Sequence, residues 1–226
     1  MCIRDSTFTD AANWGGTVPG AIDDAVIDVA DADPTILFSG THTVRSLTTN
    51  EAIQFGTGTF SVTDTADINA TASLAGGTIS GGTWDITNGS LTSDNTGSNR
   101  LDDVDLVGEL RLLNSSSVEI YGGTTFTSAR ITVNSGSGTL AFEPGSTIQG
   151  DITVEGSGTG SAFVGVDGSG TLTVAPGVTV ANTLDSSVQM FLGDSNDHII
   201  NQGTVLGRST DKALILRGQF LSLIHI

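Results

Sequence analysis

Carboxylates are the side chains in this sequence best able to do chemistry, with 25 Asp and Glu against 8 Lys and Arg and a formal net charge of -17. They gather in three clusters: Asp23, Asp24, Asp28, Asp31 and Asp33; Asp102, Asp103 and Asp105; and Asp194 with Asp197. Calcium takes about six to eight oxygens, several of them carboxylates on loops, so each cluster is a candidate for it. The tight polar run Gly193-Asp194-Ser195-Asn196-Asp197 is the best placed, with Asp194, Asn196 and Asp197 as ligands. No EF-hand loop and no Gly-Gly-x-Gly-x-Asp array accompanies these residues. Solvated acidic corners are therefore the simpler reading, and calcium is the one cofactor the sequence admits.

Hydrolysis of a polysaccharide needs two carboxylates flanking the scissile bond, for which Asp102, Asp103 and Glu119 are available. Elimination needs a proton acceptor, and the chain offers Tyr121, Lys212, and His42 and His198 far apart in sequence. Carboxylates this common specify little, and no catalytic residue is assigned. Runs such as Gly156 to Gly160 lack the Lys-Ser/Thr ending and the following helix of a phosphate cradle. Trp14 and Trp84 are too far apart for a sugar platform, and Trp84 reads as packing.

The elements that must carry these residues are short strands. Gly170 to Val180 reads GTLTVAPGVTV and echoes GTLAFEPGSTI, Gly138 to Ile148. Leu172 and Val174 alternate with threonines, the period of a strand with one buried face, and Val178 and Val180 resume it. Pro176-Gly177, like Pro144-Gly145, suits a type II corner: Pro fixes φ at the first central position and Gly accepts positive φ at the second. Hairpins prefer the primed turns, so Pro-Gly rounds a corner and does not double back. Looser copies begin at Gly58, Gly82 and Gly108, and the five starts lie 24, 26, 30 and 32 residues apart. Asn88, Asn114 and Asn134 each follow a strand, where Asn tolerates a left-handed corner and can stack in a ladder. In LDDVDLVGELRLL, Val104, Leu106, Leu110 and Leu112 keep period two around Gly108, which predicts strand and not helix.

These features predict an all-β fold, a single-stranded parallel β-helix (β-solenoid), right-handed by the general preference of parallel crossovers. Leu140 and Leu172 should lie on stacked parallel strands. A tandem of β-sandwiches would repeat at a much longer period. The two end hexapeptides, 1–6 and 221–226, match nothing between them, and DNA encoding one is the reverse complement of DNA encoding the other. The pair resembles the inverted adapter of a transposase-based sequencing library, so both are expected to be non-native and adapter-derived, with the remainder an internal piece of a longer reading frame. The expected division is an entry and capping segment at 7–24 and a solenoid of about nine coils at 25–220, on the order of 40 Å long. Trp14, with Val18 and Pro19, should cover the first coil, since an open solenoid end exposes its core.

The arrangement Asn13-Trp14, Pro19-Gly20, then Asp23-Asp24-Ala25-Val26-Ile27 resembles the entry segment of large bacterial secreted β-helix proteins, including autotransporter-type and haemagglutinin-like adhesins. That resemblance implies a secreted or cell-surface protein, serving as a structural stalk or adhesive passenger for an extracellular ligand or glycan. The alternatives are a polysaccharide-processing enzyme of pectinase-like lyase or hydrolase type, and a calcium-binding surface-layer or matrix component. The acidity opposes nucleic acid as a partner, and no stretch reaches the ~18 apolar residues of a membrane span. Open coil faces predict end-to-end association.

Overall fold

Short apolar alternations broken by Gly, Asn and Pro-Gly give strands too short to bury a face alone, so stacking on a parallel neighbour must pair their backbones. The computed structural model describes residues 7–29, 33–93, 97, 99–157, 159–183, 186–208 and 214–222. The hexapeptide at 1–6, the last four residues of the chain, Asp31 and Lys212 lie outside the described residues. The chain is an all-β solenoid of about eight turns, 2% helical, with its strands stacked in parallel.

Each turn has three faces. The first carries Asp24–Ile27, Ser46–Thr49, Thr65–Ile68, Thr83–Asp85 and the opening residues of Asp105–Leu113 and Thr125–Thr132. On the second, the front of Ile36–Val44 is followed by the front of Ile53–Val62, Thr71–Leu74, Ser90–Ser93, the later part of Asp105–Leu113 and of Thr125–Thr132, Asp151–Glu155, Thr179–Asn182 and Thr204–Leu206. The third begins with the later parts of Ile36–Val44 and Ile53–Val62. Gly77–Ser80, Asn99–Asp102, Ser117–Tyr121, Ser137–Phe142, Ser161–Val166, Gln189–Leu192 and Leu214–Leu216 complete it. From the first of these levels to the last the chain makes about eight turns, against the about nine coils expected from repeat length.

Ladder partners on successive levels lie from 17 residues apart (Ile36 and Ile53) to 28 (Ser161 and Gln189). The Gly-led copies fall on different faces and do not stack on one another. Leu140 stacks between Val118 and Val164 on the third face. Leu172 pairs with Ile199 in a separate four-stranded sheet. The expected pairing of these two leucines is therefore overturned, although the parallel stack holds through other partners. Gly followed by an alternating strand marks the exit from any corner, and each turn has three corners, so the motif records a strand and not a coil.

Inward side chains form continuous columns. Leu91, Leu110, Ala129, Ile152, Val180 and Val205 succeed one another on the second face. Val104, Leu106, Leu110 and Leu112 are all buried, but the chain bends within their alternation: the register shifts between Leu106 and Glu109, where Gly108 has φ of 132°. The first turns are filled by aromatics, with Phe38 and Phe60 edge-to-face at 4.6 Å and Phe55 and Trp84 at 5.6 Å. Trp84 is fully buried and its indole N–H donates to the Gly81 carbonyl at 2.9 Å.

The lid over the first turn centres on Phe8, which the sequence reading passed over. Phe8 is fully buried and meets Trp14, Phe38, His42 and Phe60 edge-to-face. Trp14, half-buried, donates its indole N–H to the Phe8 carbonyl at 2.6 Å, and His42 Nε2 lies 2.6 Å from the Pro19 carbonyl oxygen.

Alternation makes a sharp prediction at two adjacent leucines. Leu112 is fully buried and Leu113 is 40% exposed. Leu112→Ala should cost about 2–5 kcal/mol in urea unfolding. Leu113→Ala should cost less than about 0.5 kcal/mol. Equal losses would show that the register is wrong.

Candidate binding face and cleft

The predicted corners fall at different edges of the solenoid. Gly145 and Gly177 have φ of 89° and 84°. Pro144-Gly145 joins the third face to the next first-face strand, whereas Pro176-Gly177 joins Thr171–Val174 to Thr179–Asn182. The Gly145 N–H donates to Thr171 O at 2.8 Å, locking its corner to the next level. Asn114 is left-handed, with φ of 54°, and its Oδ1 accepts from the Asn134 N–H at 3.3 Å. Ser157 Oγ continues that line to Asn134 Oδ1 at 3.4 Å. Asn88 lies after Thr83–Asp85, at another corner. The amide-to-amide contact joins Asn69 Nδ2 to Asn50 Oδ1 at 3.2 Å.

The acidic clusters are engaged locally. Asp24 accepts from Arg45 and from Ser46 Oγ, and the Arg45 hydrogen bond holds its carboxyl down to about 2. At the run from Asp194 to Asp197, Asp197 is fully buried while Asn196 is exposed. Asp197 Oδ2 accepts from the N–H groups of Asp194 at 3.0 Å and Val166 at 3.2 Å, the latter on the preceding level. Asp194 Oδ1 accepts from the Asn196 N–H at 2.6 Å. These carboxylates cap their own corner. Asp197 Oδ1 is buried without a hydrogen-bond partner, and burial pushes the carboxyl above its usual range. Among the described residues no three His, Cys, Asp or Glu gather closely enough to hold a metal ion.

Of the possible hydrolytic residues, Glu119 is likewise committed. Glu119 Oε2 accepts from Arg100 Nε at 3.0 Å and Nη2 at 2.6 Å. Asp103 is a left-handed corner residue with φ of 58°. His198 is exposed beside Asp197 at the start of His198–Asn201.

What the outer surface does assemble is a network along the third face. The Arg100 guanidinium lies 4.0 Å over the Tyr121 ring, and the Tyr121 hydroxyl donates to Asp167, two levels further on. That bond pushes the Tyr121 pKa up to about 12. Phe163 and Phe191, partners in register, also point outward and are half-buried, with Arg217 lying 4.2 Å over Phe191. The sequence reading missed both phenylalanines. They stand out of phase with the inward Ala162, Val164 and Val166, and with Val188, Met190 and Leu192, which was the available signal.

Beside this face the stack is interrupted. Thr125 and Phe126 pair with the preceding level, and Thr147–Ile148 pairs with the following one, but among the described residues no ladder joins the two. Next to this break lies a cleft of about 300 Å³ lined by Ile120, Thr124, Phe142, Glu143, Ser146, Thr147 and Gln149 among others. Glu143 Oε2 accepts from the Gly122 N–H at 3.2 Å, anchoring one side of the cleft to the turn after Tyr121.

No family model, curated protein or solved structure matches the chain, so the fold and this geometry carry the functional reading.

Asp197 supplies a pH test. A folded-state carboxyl raised above its unfolded value destabilises the fold when ionised, and that penalty is relieved as pH falls through the raised value. Comparing urea unfolding of wild type and Asp197→Asn, the stability difference should move in favour of wild type as pH drops from neutral into the acid range. A difference that is flat, or moves the other way, would contradict a buried carboxylate whose Oδ1 has no partner.

Proposed function

We propose that this chain is the rigid part of a secreted or cell-surface protein, a structural stalk or adhesive passenger. The observation that supports this reading is the continuity of the stack: one solenoid of about eight turns, tied from level to level by backbone ladders that run unbroken along its second and third faces. Side chains add to it on the outside. Arg130 Nε bonds Glu109 at 3.0 Å and its Nη1 bonds Glu155 at 2.7 Å, linking three levels of the second face. Exposed pairs of this kind are each worth little, about 0–1 kcal/mol, but they repeat in the direction along which a stalk is loaded. The many carboxylates at the corners keep such a surface soluble. No described helix is long and apolar enough to cross a membrane.

A catalytic reading has less behind it, since Glu119 is held by Arg100. A calcium-binding matrix role would require ligands beyond the capping carboxylates of Asp194 and Asp197.

Force spectroscopy on the chain held near residues 7 and 220 tests the proposal. A load-bearing solenoid should unravel in steps of about one turn, releasing roughly 70 Å of contour for each ~20 residues. Release of the whole length in one low-force event would overturn it.

A further inference from the structure

We propose that the cleft between Thr124 and Thr147 is a carbohydrate subsite that seats one unit of a neutral, extended glycan, with the adjoining third face carrying neighbouring units. This rests on the stalk or adhesive-passenger reading and gives it a ligand class. The lining is the first reason. Thr124, Ser146 and Thr147 offer hydroxyls, Gln149 an amide and Glu143 a carboxylate, a mixture of donors and acceptors matched to a polyhydroxylated ligand. The exposed ring of Pro144 beside them offers an apolar surface to the C–H face of a sugar.

Charge is the second reason. The lining contains one carboxylate and no cationic side chain, and the chain as a whole is at -17, so uronate or sulfated polymers are repelled. One carboxylate is too few for a divalent cation.

The surface beside the cleft is the third. Glu143 stands at the end of the strand bearing Ala141, so a chain leaving the cleft passes onto the outer surface of the third face. There the half-buried rings of Phe163 and Phe191 provide stacking surfaces, and the Tyr121–Asp167 and Arg100–Glu119 pairs provide polar groups.

The test is thermal melting of the chain with linear neutral hexasaccharides: cello-, xylo-, laminari-, manno- and chito-oligosaccharides. Polygalacturonate and polylysine serve as charged controls. At least one neutral hexasaccharide should raise the melting temperature in a concentration-dependent way. Gln149→Ala with Glu143→Gln should weaken that ligand by about tenfold or more, Phe163→Ser should weaken it less, and Leu113→Ala on another face should leave it unchanged. Melting without ligand checks that each variant folds. The inference is overturned if no neutral hexasaccharide shifts melting at millimolar concentration, if the shift survives the cleft substitutions, or if only a charged control binds. A failure here with stepwise unravelling under force intact would remove the glycan site and leave the stalk, whereas low-force release would remove the stalk itself.

Discussion

A short β-strand cannot satisfy its own backbone, and everything else in this protein follows from how that need is met. Each segment has N–H and C=O groups on both edges and only a few apolar side chains to bury. Stacking each segment on its counterpart one turn earlier pairs one edge, and the next turn pairs the other. The same operation brings like positions into columns, so Leu91, Leu110, Ala129 and Ile152 form one wall of the core without any of them being close in sequence. The cost falls at the ends and at any interruption. The N-terminal end is closed by Phe8 and Trp14, and the cleft lies next to the interruption.

Much of this was legible in the sequence, because alternation is a local signal. Val104, Leu106, Leu110 and Leu112 announce their burial by spacing alone, and Pro176-Gly177 announces a corner by its permitted φ values. The bend at Gly108 was hidden for the same reason: a chain that turns through a bulge keeps its alternation, so two faces read as one strand. The identity of the repeating unit was lost differently. The likeness of the stretch Gly138 to Ile148 to the stretch Gly170 to Val180 reflects the common needs of strand and corner, and those needs recur at every edge of the solenoid. Which corner a motif occupies depends on how many residues the preceding corners inserted, and corner length is free to vary because the loops project outward.

The site was less legible than the fold. Phe163 and Phe191 gave a signal, since a large apolar residue out of phase must face outward, but it becomes meaningful only once the stacking places them on the same face as Tyr121 and Asp167. Asp194 and Asp197 look equivalent in a run of polar residues. Only the level beneath, which offers the Val166 N–H, turns one of them inward and leaves the other at the surface. The cleft has no local signature, because it lies next to a missing ladder between two segments that each look like ordinary strands.

Fold, columns and cleft all depend on which residues share a stack, and methyl-to-methyl nuclear Overhauser contacts measure that directly. The stacking predicts contacts from Leu140 to Val118 and Val164, from Leu172 to Ile199, and along the column from Leu91 through Leu110 to Ala129. Contacts between strands adjacent in sequence in the manner of hairpins, with those between stacked partners missing, would contradict it.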